Sequence, residues 1–228
     1  MYTNVNLAAP VGALLFLGTA FLLVVVVIAF FAFIAKRKFG LAKAALGAFV
    51  LINVGYLVIL LLFSATSRER LLARGEEKHF CEIDCHLAYS ISDVQEAKTL
   101  GAAPNQITAA GTFHVVTIKT HFDERTISSS RGNELLYPNS RVVSVSDENG
   151  NQYFPSTPAH AVLEKSQQAG TAMTIPLRPG ESYSTTLVFD LPPGIKGPAL
   201  LIKEGESLTH FVIGHENSPL HKKTRFLI

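Results

Sequence analysis

The sequence predicts a two-helix transmembrane hairpin followed by an all-β antiparallel sandwich. Residues 11–35 and 44–67 are uncharged and apolar. Each run exceeds the roughly 20 residues that a helix needs to cross a hydrocarbon core of about 30 Å. Beyond residue 78, apolar and polar residues alternate, and turn signals separate about seven or eight short strands. Short alternating strands with turns between them are typical of a β-sandwich.

We divide the chain into a membrane anchor at residues 1–67, a charged juxtamembrane stalk at 68–78 and an extracytoplasmic β-sandwich at 79–228. The last part is long enough for one hydrophobic core. The net charge of +2 provides no basic field, so we expect no nucleic-acid partner. The chain has only two cysteines, which excludes a disulfide-dense scaffold.

The connection between the apolar runs, residues 36–43, is short and carries basic side chains but no acidic ones. It can only return the chain to the face it came from, which predicts a hairpin. A basic excess in a short loop marks the cytoplasmic side, so we expect both termini and the sandwich outside a two-pass cell-membrane protein. Residues 1–10 carry no basic side chain, and Lys36 follows the first run at once. We therefore interpret that run as a retained helix rather than a cleavable signal peptide.

Small and polar positions in the apolar runs allow two interpretations. Gly12 and Gly18, and then Gly47 and Gly55, are places where helices could approach closely, and Asn53 is an amide inside the second run. One interpretation is packing within the hairpin. The other is docking to a second membrane subunit.

The strands of the β-region are predicted from the alternation of apolar and polar residues. The charged stalk before them favours a helix. Residues 93–110 contain Gly101 and Pro104 and are expected to form a loop, whereas the spacing at 158–168 predicts one short helix. Asn149-Gly150 is a hairpin signal. The predicted strands are residues 81–91, 112–122, 141–146, 152–154, 182–190, 199–203, 209–213 and 224–228.

From Thr112 onward the sequence resembles bacterial membrane-anchored extracytoplasmic immunoglobulin-like domains of unassigned function. The resemblance covers about half of the chain and implies an immunoglobulin-like fold. It speaks for fold and not for chemistry, because its motifs consist of strands and turns. The motifs are a strand at residues 113–120, Asp-Glu-Asn-Gly-Asn at 147–151, Leu-Arg-Pro-Gly-Glu-Ser at 177–182, Leu-Val-Phe-Asp-Leu-Pro at 187–192 and Ala-Leu-Leu-Ile-Lys at 199–203.

A second resemblance is architectural. Two membrane helices followed by an outer β-sandwich resemble subunit two of the cytochrome oxidases, which implies a dinuclear copper site. Cys81 and Cys85 have the cysteine spacing of that family. Tyr89 and Ser92 stand where the family has a histidine and a methionine, so the resemblance does not extend to the full ligand set.

Cys81 and Cys85 are the first candidates for chemistry, with His79 and His86 beside them and His221 in a distant loop. Thiolates and imidazoles suit copper or zinc. In a strand the two cysteines would be about 13 Å apart, which is too far for a disulfide unless the chain turns. Three interpretations stay open: buried small side chains, a disulfide, or a copper or zinc site that includes Cys81, Cys85, His86 and His221.

Residues 214–223 form the second candidate site. Glu216, Asn217 and Ser218 suit a turn, and His221-Lys222 is basic. The segment is either a structural loop before the last strand or a surface that binds a partner or an anion through Glu216, Asn217, His221 and Lys222.

The sequence contains no Gly-x-Ser-x-Gly, His-Glu-x-x-His or phosphate-loop pattern. We therefore expect a membrane-anchored binding or accessory module without a catalytic site. It would contact the lipid bilayer and a protein partner in the membrane or periplasm. The alternative is a metal-binding or electron-transfer subunit, and a sensor is a third hypothesis.

Overall fold

The computed structural model describes residues 8–80, 86–126 and 132–228, which form two compact units. One unit is a helical hairpin together with the segment Ser207–Lys222. The other is a β-domain that contains Glu69–Glu206 and Lys223–Ile228. The predicted fold class, two long apolar helices followed by a mostly antiparallel β-domain, is confirmed.

The hairpin consists of α1, Ala8–Ala35, and α2, Phe39–Ala65. Both helices are long and apolar enough to cross a membrane. Their apolar side chains are largely exposed; that of Leu51, for example, is 73% exposed. The two helices contact each other, and the rings of Phe16 and Tyr56 lie 6.4 Å apart. An apolar surface of this extent is typical of helices that face lipid.

The small and polar positions of the hairpin differ from each other in their surroundings. A Cβ atom added at Gly18, Gly47 or Gly55 would meet nothing within 4 Å, so these glycines do not mark close helix contacts. A Cβ atom at Gly12 would overlap the carbonyl oxygen of Ile213. The Asn53 amide donates a hydrogen bond of 2.8 Å to the Phe49 carbonyl of its own helix.

The segment Ser207–Lys222 contains a short 3₁₀ helix, Ser207–Phe211, where we predicted a strand at residues 209–213. That prediction was wrong. The Phe211 carbonyl accepts a hydrogen bond of 2.6 Å from the Tyr56 hydroxyl. Backbone groups of this segment therefore bond to the hairpin and to local turns instead of joining a β-ladder.

The β-domain has two sheets. One has five strands in the order β1-β9-β8-β5-β6 and the other has four in the order β2-β3-β4-β7. All pairs are antiparallel except the parallel pair β1–β9. The strands are β1 Arg70–Leu72, β2 Lys78–Phe80, β3 Leu87–Leu100, β4 Ile107–Phe122, β5 Arg141–Ser146, β6 Gln152–Tyr153, β7 Ser182–Leu191, β8 Ala199–Glu204 and β9 Thr224–Leu227.

One hydrophobic core joins the two sheets. Each sheet contributes alternate apolar residues to it, as the sequence periodicity predicts. The four-stranded sheet contributes Tyr89, Ile118 and Phe189, and the five-stranded sheet contributes Ile202 and Phe226. A sandwich with a shared core is the architecture that these contacts define.

A smaller cluster lies on the other face of the four-stranded sheet. Helix α3, Thr157–Lys165, places Ala159 and Leu163 against Phe113 and Val188. Both faces of β4 are apolar in this region, which explains why its sequence alternates less clearly than that of β5. Ser156 is the N-cap of the helix, and its side chain accepts a hydrogen bond from the Ala159 N–H.

Two segments of the β-domain also differ from the sequence prediction. Within the stalk at residues 68–78, where the charge pattern favoured helix, Arg70–Leu72 is a strand because it pairs with β9. The predicted loop at 93–110 is mostly strand, since β3 continues to Leu100 and β4 already begins at Ile107. Its polar residues form the extended arms of the β3–β4 hairpin.

Candidate functional site

A cluster of ionisable side chains lies at one end of β2 and β4, the two strands that flank β3 in the four-stranded sheet. Glu77 directly precedes β2, His79 lies within it, and Asp123 directly follows β4. His79 is opposite Ala88 of β3, and Ala88 is opposite His121 of β4. The Asp123 N–H donates to the His86 carbonyl over 2.8 Å, which fixes the chain as it leaves β4. The strand register therefore gathers these groups at one end of the four-stranded sheet.

The nitrogen and oxygen atoms of the cluster converge on a small volume. His79 Nε2 lies 3.1 Å from Asp123 Oδ2 and 3.8 Å from Glu77 Oε2. One ligand atom from each of Glu77, His79 and Asp123 lies within 4.8 Å of the others. The His79 and Asp123 side chains are only 4% and 1% exposed, whereas that of Glu77 is 25% exposed. The arrangement is buried on one side and open at Glu77.

Arg125 provides a positive charge next to Asp123. Its Nε lies 2.9 Å from Asp123 Oδ1, and its Nη2 lies 3.0 Å from Asp123 Oδ2 and 3.7 Å from Glu77 Oε2. Burial alone raises the pKa of Asp123. The side-chain and backbone hydrogen bonds from Arg125, the hydrogen bond from His79 and the guanidinium charge outweigh burial and hold that pKa far below its usual range. Asp123 is therefore a carboxylate at neutral pH.

His121 completes the cluster at its open side. Its Nδ1 lies 2.8 Å from Glu77 Oε1, so the imidazole orients the Glu77 carboxylate. The Arg125 guanidinium lies beside both carboxylates of the cluster.

The three side chains have the atom types and spacing of a divalent-cation site. Two ligands on a tetrahedral zinc ion lie about 3.4 Å apart, given zinc–nitrogen and zinc–oxygen distances of about 2.1 Å. The two distances from His79 Nε2, 3.1 and 3.8 Å, are on either side of that value. Imidazole and carboxylate are ordinary zinc ligands.

The metal ligands predicted from the sequence are distributed differently. Cys81 and Cys85 lie outside the described residues. His86 is buried, and its ring stacks on that of Phe122 with centroids 5.4 Å apart. His221 belongs to the other compact unit, where its Nδ1 lies 2.7 Å from the Lys222 carbonyl oxygen.

Sequence reasoning singled out His79 but missed Glu77 and Asp123. Glu77 and Asp123 each lie next to the end of a strand. Asp123 is 44 residues from His79 in the sequence, and only the register of β2, β3 and β4 brings Asp123 and His79 together. A search for charged residues at adjacent strand ends would have found the pair.

The loop predicted to contact a partner, residues 214–223, is irregular, as expected. Asn217 is buried, and its amide donates to Thr209 Oγ1 over 2.8 Å. Glu216 and His221 are half-buried, and Lys222 is exposed. Of the four predicted contact residues, Lys222 is the most accessible and Asn217 the least.

A groove of about 620 Å³ lies between α3 and the chain that follows it. His160, Glu164 and Gln167 line one side, and Met173 and Leu187 line another. His160 Nε2 lies 3.6 Å from Glu164 Oε1. The size of the groove is within the range of small-molecule sites.

No family model matches the chain, and no curated protein is similar to it in sequence. Several solved structures are similar in structure. A secreted protein of Mycobacterium tuberculosis aligns at 10% identity over 72% of this chain and 100% of its own, with a TM-score of 0.43. The yjhA protein of Bacillus subtilis aligns at 12% identity over 68% and 98%, with a TM-score of 0.41. An uncharacterized β-sandwich protein of Clostridium difficile aligns at 10% identity over 71% and 95%, with a TM-score of 0.39.

Proposed function

We propose that this protein is a membrane-anchored extracytoplasmic binding module. The hairpin α1–α2 holds an immunoglobulin-like sandwich at the extracytoplasmic surface of the cell membrane. There the sandwich binds a protein partner or supports a membrane complex. The observation that carries this proposal is the exposure of the apolar side chains along both helices. Water would penalise that surface heavily, whereas lipid does not.

The basic side chains at the closed end of the hairpin support the proposed orientation. Lys36, Arg37 and Lys38 join the two helices, and Lys43 follows in the first turns of α2. Short loops of this kind stay on the cytoplasmic side. The N-terminus of α1 and the C-terminus of α2, which leads into the sandwich, then face outward.

Cysteine accessibility in cells tests this topology. In a background of Cys81→Ser and Cys85→Ser, a membrane-impermeant maleimide on intact cells should label Asn149→Cys in the sandwich turn. Lys38→Cys should become labelled only after permeabilisation. If Lys38→Cys and not Asn149→Cys is labelled in intact cells, the orientation is opposite to the proposed one. Recovery of the protein in the soluble fraction would show that the hairpin does not anchor it in a membrane.

Purification in a mild detergent tests the binding role. We expect one protein to co-purify in stoichiometric amount and to be lost with Lys222→Glu, because Lys222 is the exposed cation of the predicted contact loop. Lys196→Glu, an exposed site in the β-domain, is the control. A full-length protein that remains without a partner under these conditions contradicts the role.

A metal-binding function is a second candidate, and the Glu77, His79 and Asp123 cluster favours it. The two carboxylates and the imidazole would hold zinc or copper, with His121 orienting Glu77. Arg125 would offset part of the negative charge of Asp123 and so lower the affinity of the site for the metal ion.

Metal analysis of the purified full-length protein separates the two candidates. A metal-binding protein should contain about one equivalent of zinc or copper that is lost with His79→Ala and retained with His160→Ala. The same assay on Cys81→Ser tests the sulfur ligands predicted from the sequence. Wild-type protein that takes up neither ion when titrated with it would rule out the metal site.

A further inference from the structure

The segment Ser207–Lys222, which separates β8 from β9, is attached to both helices of the hairpin. The Tyr56 hydroxyl of α2 donates to the Phe211 carbonyl over 2.6 Å. The Lys222 N–H donates to Ser67 Oγ, just after α2, over 2.7 Å. On α1, Gly12 lies against Ile213 so closely that a Cβ atom would overlap the Ile213 carbonyl oxygen. The segment therefore covers the open end of the hairpin.

The depth of these contacts places part of the segment within the thickness of a bilayer. Tyr56 lies about two and a half helical turns, or roughly 13 Å, before the end of α2 at Ala65. A helix of 27 residues is about 40 Å long and exceeds a 30 Å hydrocarbon core by about 5 Å at each end. Tyr56 is then roughly 8 Å inside the core, and the Phe211 carbonyl bonds to it there.

The segment presents large apolar side chains outward. Leu208, Phe211 and Leu220 are 64%, 51% and 68% exposed. Leu220 also has a φ of +64°, a conformation that favours glycine, so a bulky apolar side chain is kept at an unfavourable backbone position. At the same end of the hairpin, Val11 and Leu62 are also exposed, so the apolar surface of the helices continues onto the segment.

The backbone of the segment is bonded in the way that a low-dielectric environment requires. Irregular backbone is tolerated at membrane depth only when its polar groups find partners in the protein. Successive turns run from Val212 to Thr209, from His215 to Val212 and from Ser218 to His215, each N–H donating to the earlier carbonyl over 3.0–3.2 Å.

Two buried polar side chains add to these turns. The Ser218 hydroxyl donates to the Val212 carbonyl over 2.6 Å, and the Asn217 amide donates to Thr209 Oγ1 over 2.8 Å. Both residues are nearly inaccessible, at 1% and 5% exposure. These bonds leave the buried polar groups of the segment paired within the protein, which is what irregular backbone at membrane depth needs.

The end of the segment is cationic. Lys222 is exposed, and His221 precedes it. A cation beside an apolar surface is the arrangement by which interfacial elements combine acyl-chain contact with phosphate headgroup contact.

We infer that Ser207–Lys222 is a third membrane-binding element, with Leu208, Phe211 and Leu220 among the acyl chains and Lys222 at the headgroup phosphates. The occupant of this apolar surface is the lipid bilayer. The inference rests on the proposed anchoring of α1 and α2, and it adds a monotopic contact that the sequence did not predict.

The absence of tryptophan from the chain makes a direct test possible. Single-tryptophan variants of the full-length protein are reconstituted in phosphatidylcholine vesicles with bromine atoms at defined acyl positions. Phe211→Trp and Leu208→Trp should lose fluorescence with shallow bromines more than with deep ones. Leu51→Trp, on the exposed middle of α2, should be quenched best by deep bromines. Phe154→Trp, exposed in the β-domain, should respond only to aqueous acrylamide.

The outcomes separate the inference from the anchor. If Leu51→Trp is quenched by bromines but Phe211→Trp and Leu208→Trp respond only to acrylamide, the inference is wrong and the anchor stands. If Leu51→Trp is not quenched either, the anchor itself is wrong. Should Phe211→Trp fail to fold, Leu220→Trp on the exposed turn makes the same measurement.

A substitution in α1 provides a second variant. In the Phe211→Trp background, Gly12→Leu should displace the segment and reduce shallow quenching, because its side chain takes the position of the Ile213 carbonyl. A Cβ atom at Gly18 meets nothing within 4 Å, so Gly18→Leu should leave quenching unchanged. Equal quenching in all three proteins would contradict the described contact.

Discussion

Asp147 organises the turn between β5 and β6 through its carboxylate. The N–H groups of Asn149 and Asn151 each donate to Oδ1 over 2.9 Å, and the Asn151 amide donates to Oδ2 over 2.8 Å. The Asn151 side-chain bond lowers the pKa of Asp147, burial opposes it, and the backbone bonds lower it further. The pKa of Asp147 therefore lies below its usual value.

The turn should lose stability in acid because of this carboxylate. Since the folded-state pKa of Asp147 lies below the unfolded value of about 3.9, its stabilisation is complete above that pH and disappears as the pH falls through the folded pKa. We expect Asp147→Asn to lower the Tm at pH 7 and to approach the wild-type Tm below about pH 4. Thermal unfolding of the full-length protein in detergent, followed by circular dichroism, measures the difference.

Asp93→Asn is the matched control, since the side chains of Asp93 and of Arg74, its partner at 3.4 Å, are 43% and 54% exposed. Surface changes of this kind alter stability by about 0.5 kcal/mol or less. A Tm difference between wild type and Asp147→Asn that stays constant from neutral to acidic pH would show that the carboxylate charge is not the cause.

At the scale of elements, the pairing of β4 with β7 depends on a glycine. A Cβ atom at Gly111 would overlap the Leu191 carbonyl oxygen. Asp190 of β7 accepts hydrogen bonds from the N–H groups of Ala110 and Gly111 over 2.8 and 2.9 Å, which holds the two strands close. Gly111 permits β4 and β7 to approach each other closely, and the hydrogen bonds to Asp190 hold them at that distance.

Gly111→Ala should therefore destabilise the β-domain by about 1–3 kcal/mol, the usual cost of overpacking. Denaturant unfolding of the full-length protein measures this value. Ala110→Ser is the control, because Ala110 is exposed and its N–H remains available. If Gly111→Ala has the stability of the wild type, β4 and β7 can move apart without a loss of folding free energy, and the prediction is wrong.

Local periodicity explains which elements the sequence predicts correctly. Strands β5, β7 and β8 and the Asn149-Gly150 turn are encoded by alternation and turn chemistry within a few residues. Strand β1 lies in a charged stretch with no such pattern, and it is a strand only because β9 pairs with it. The same is true of residues 207–213, whose conformation depends on Tyr56 of a distant helix.

At the scale of the whole molecule, hydropathy separates the two units before any packing is considered. The uncharged runs at the start of the chain predict the helices because each run is long and apolar enough to cross a hydrocarbon core. Ser207–Lys222 belongs with these helices although it lies within the β-domain sequence, and its short apolar stretches are too weak to indicate this. The candidate metal cluster is likewise assembled by register, so composition could suggest a site near His79 but could not name Asp123.

The parallel pairing of β1 with β9 has a mechanical consequence. β1 is the first strand after α2, and β9 is the partner with which it pairs in parallel. In a parallel pair, the N-terminal end of one strand and the C-terminal end of the other point in opposite directions. A pull applied between α2 and the residue after β9 would load the β1–β9 hydrogen bonds together in shear instead of opening them one at a time, so this short ladder would resist the pull as a unit.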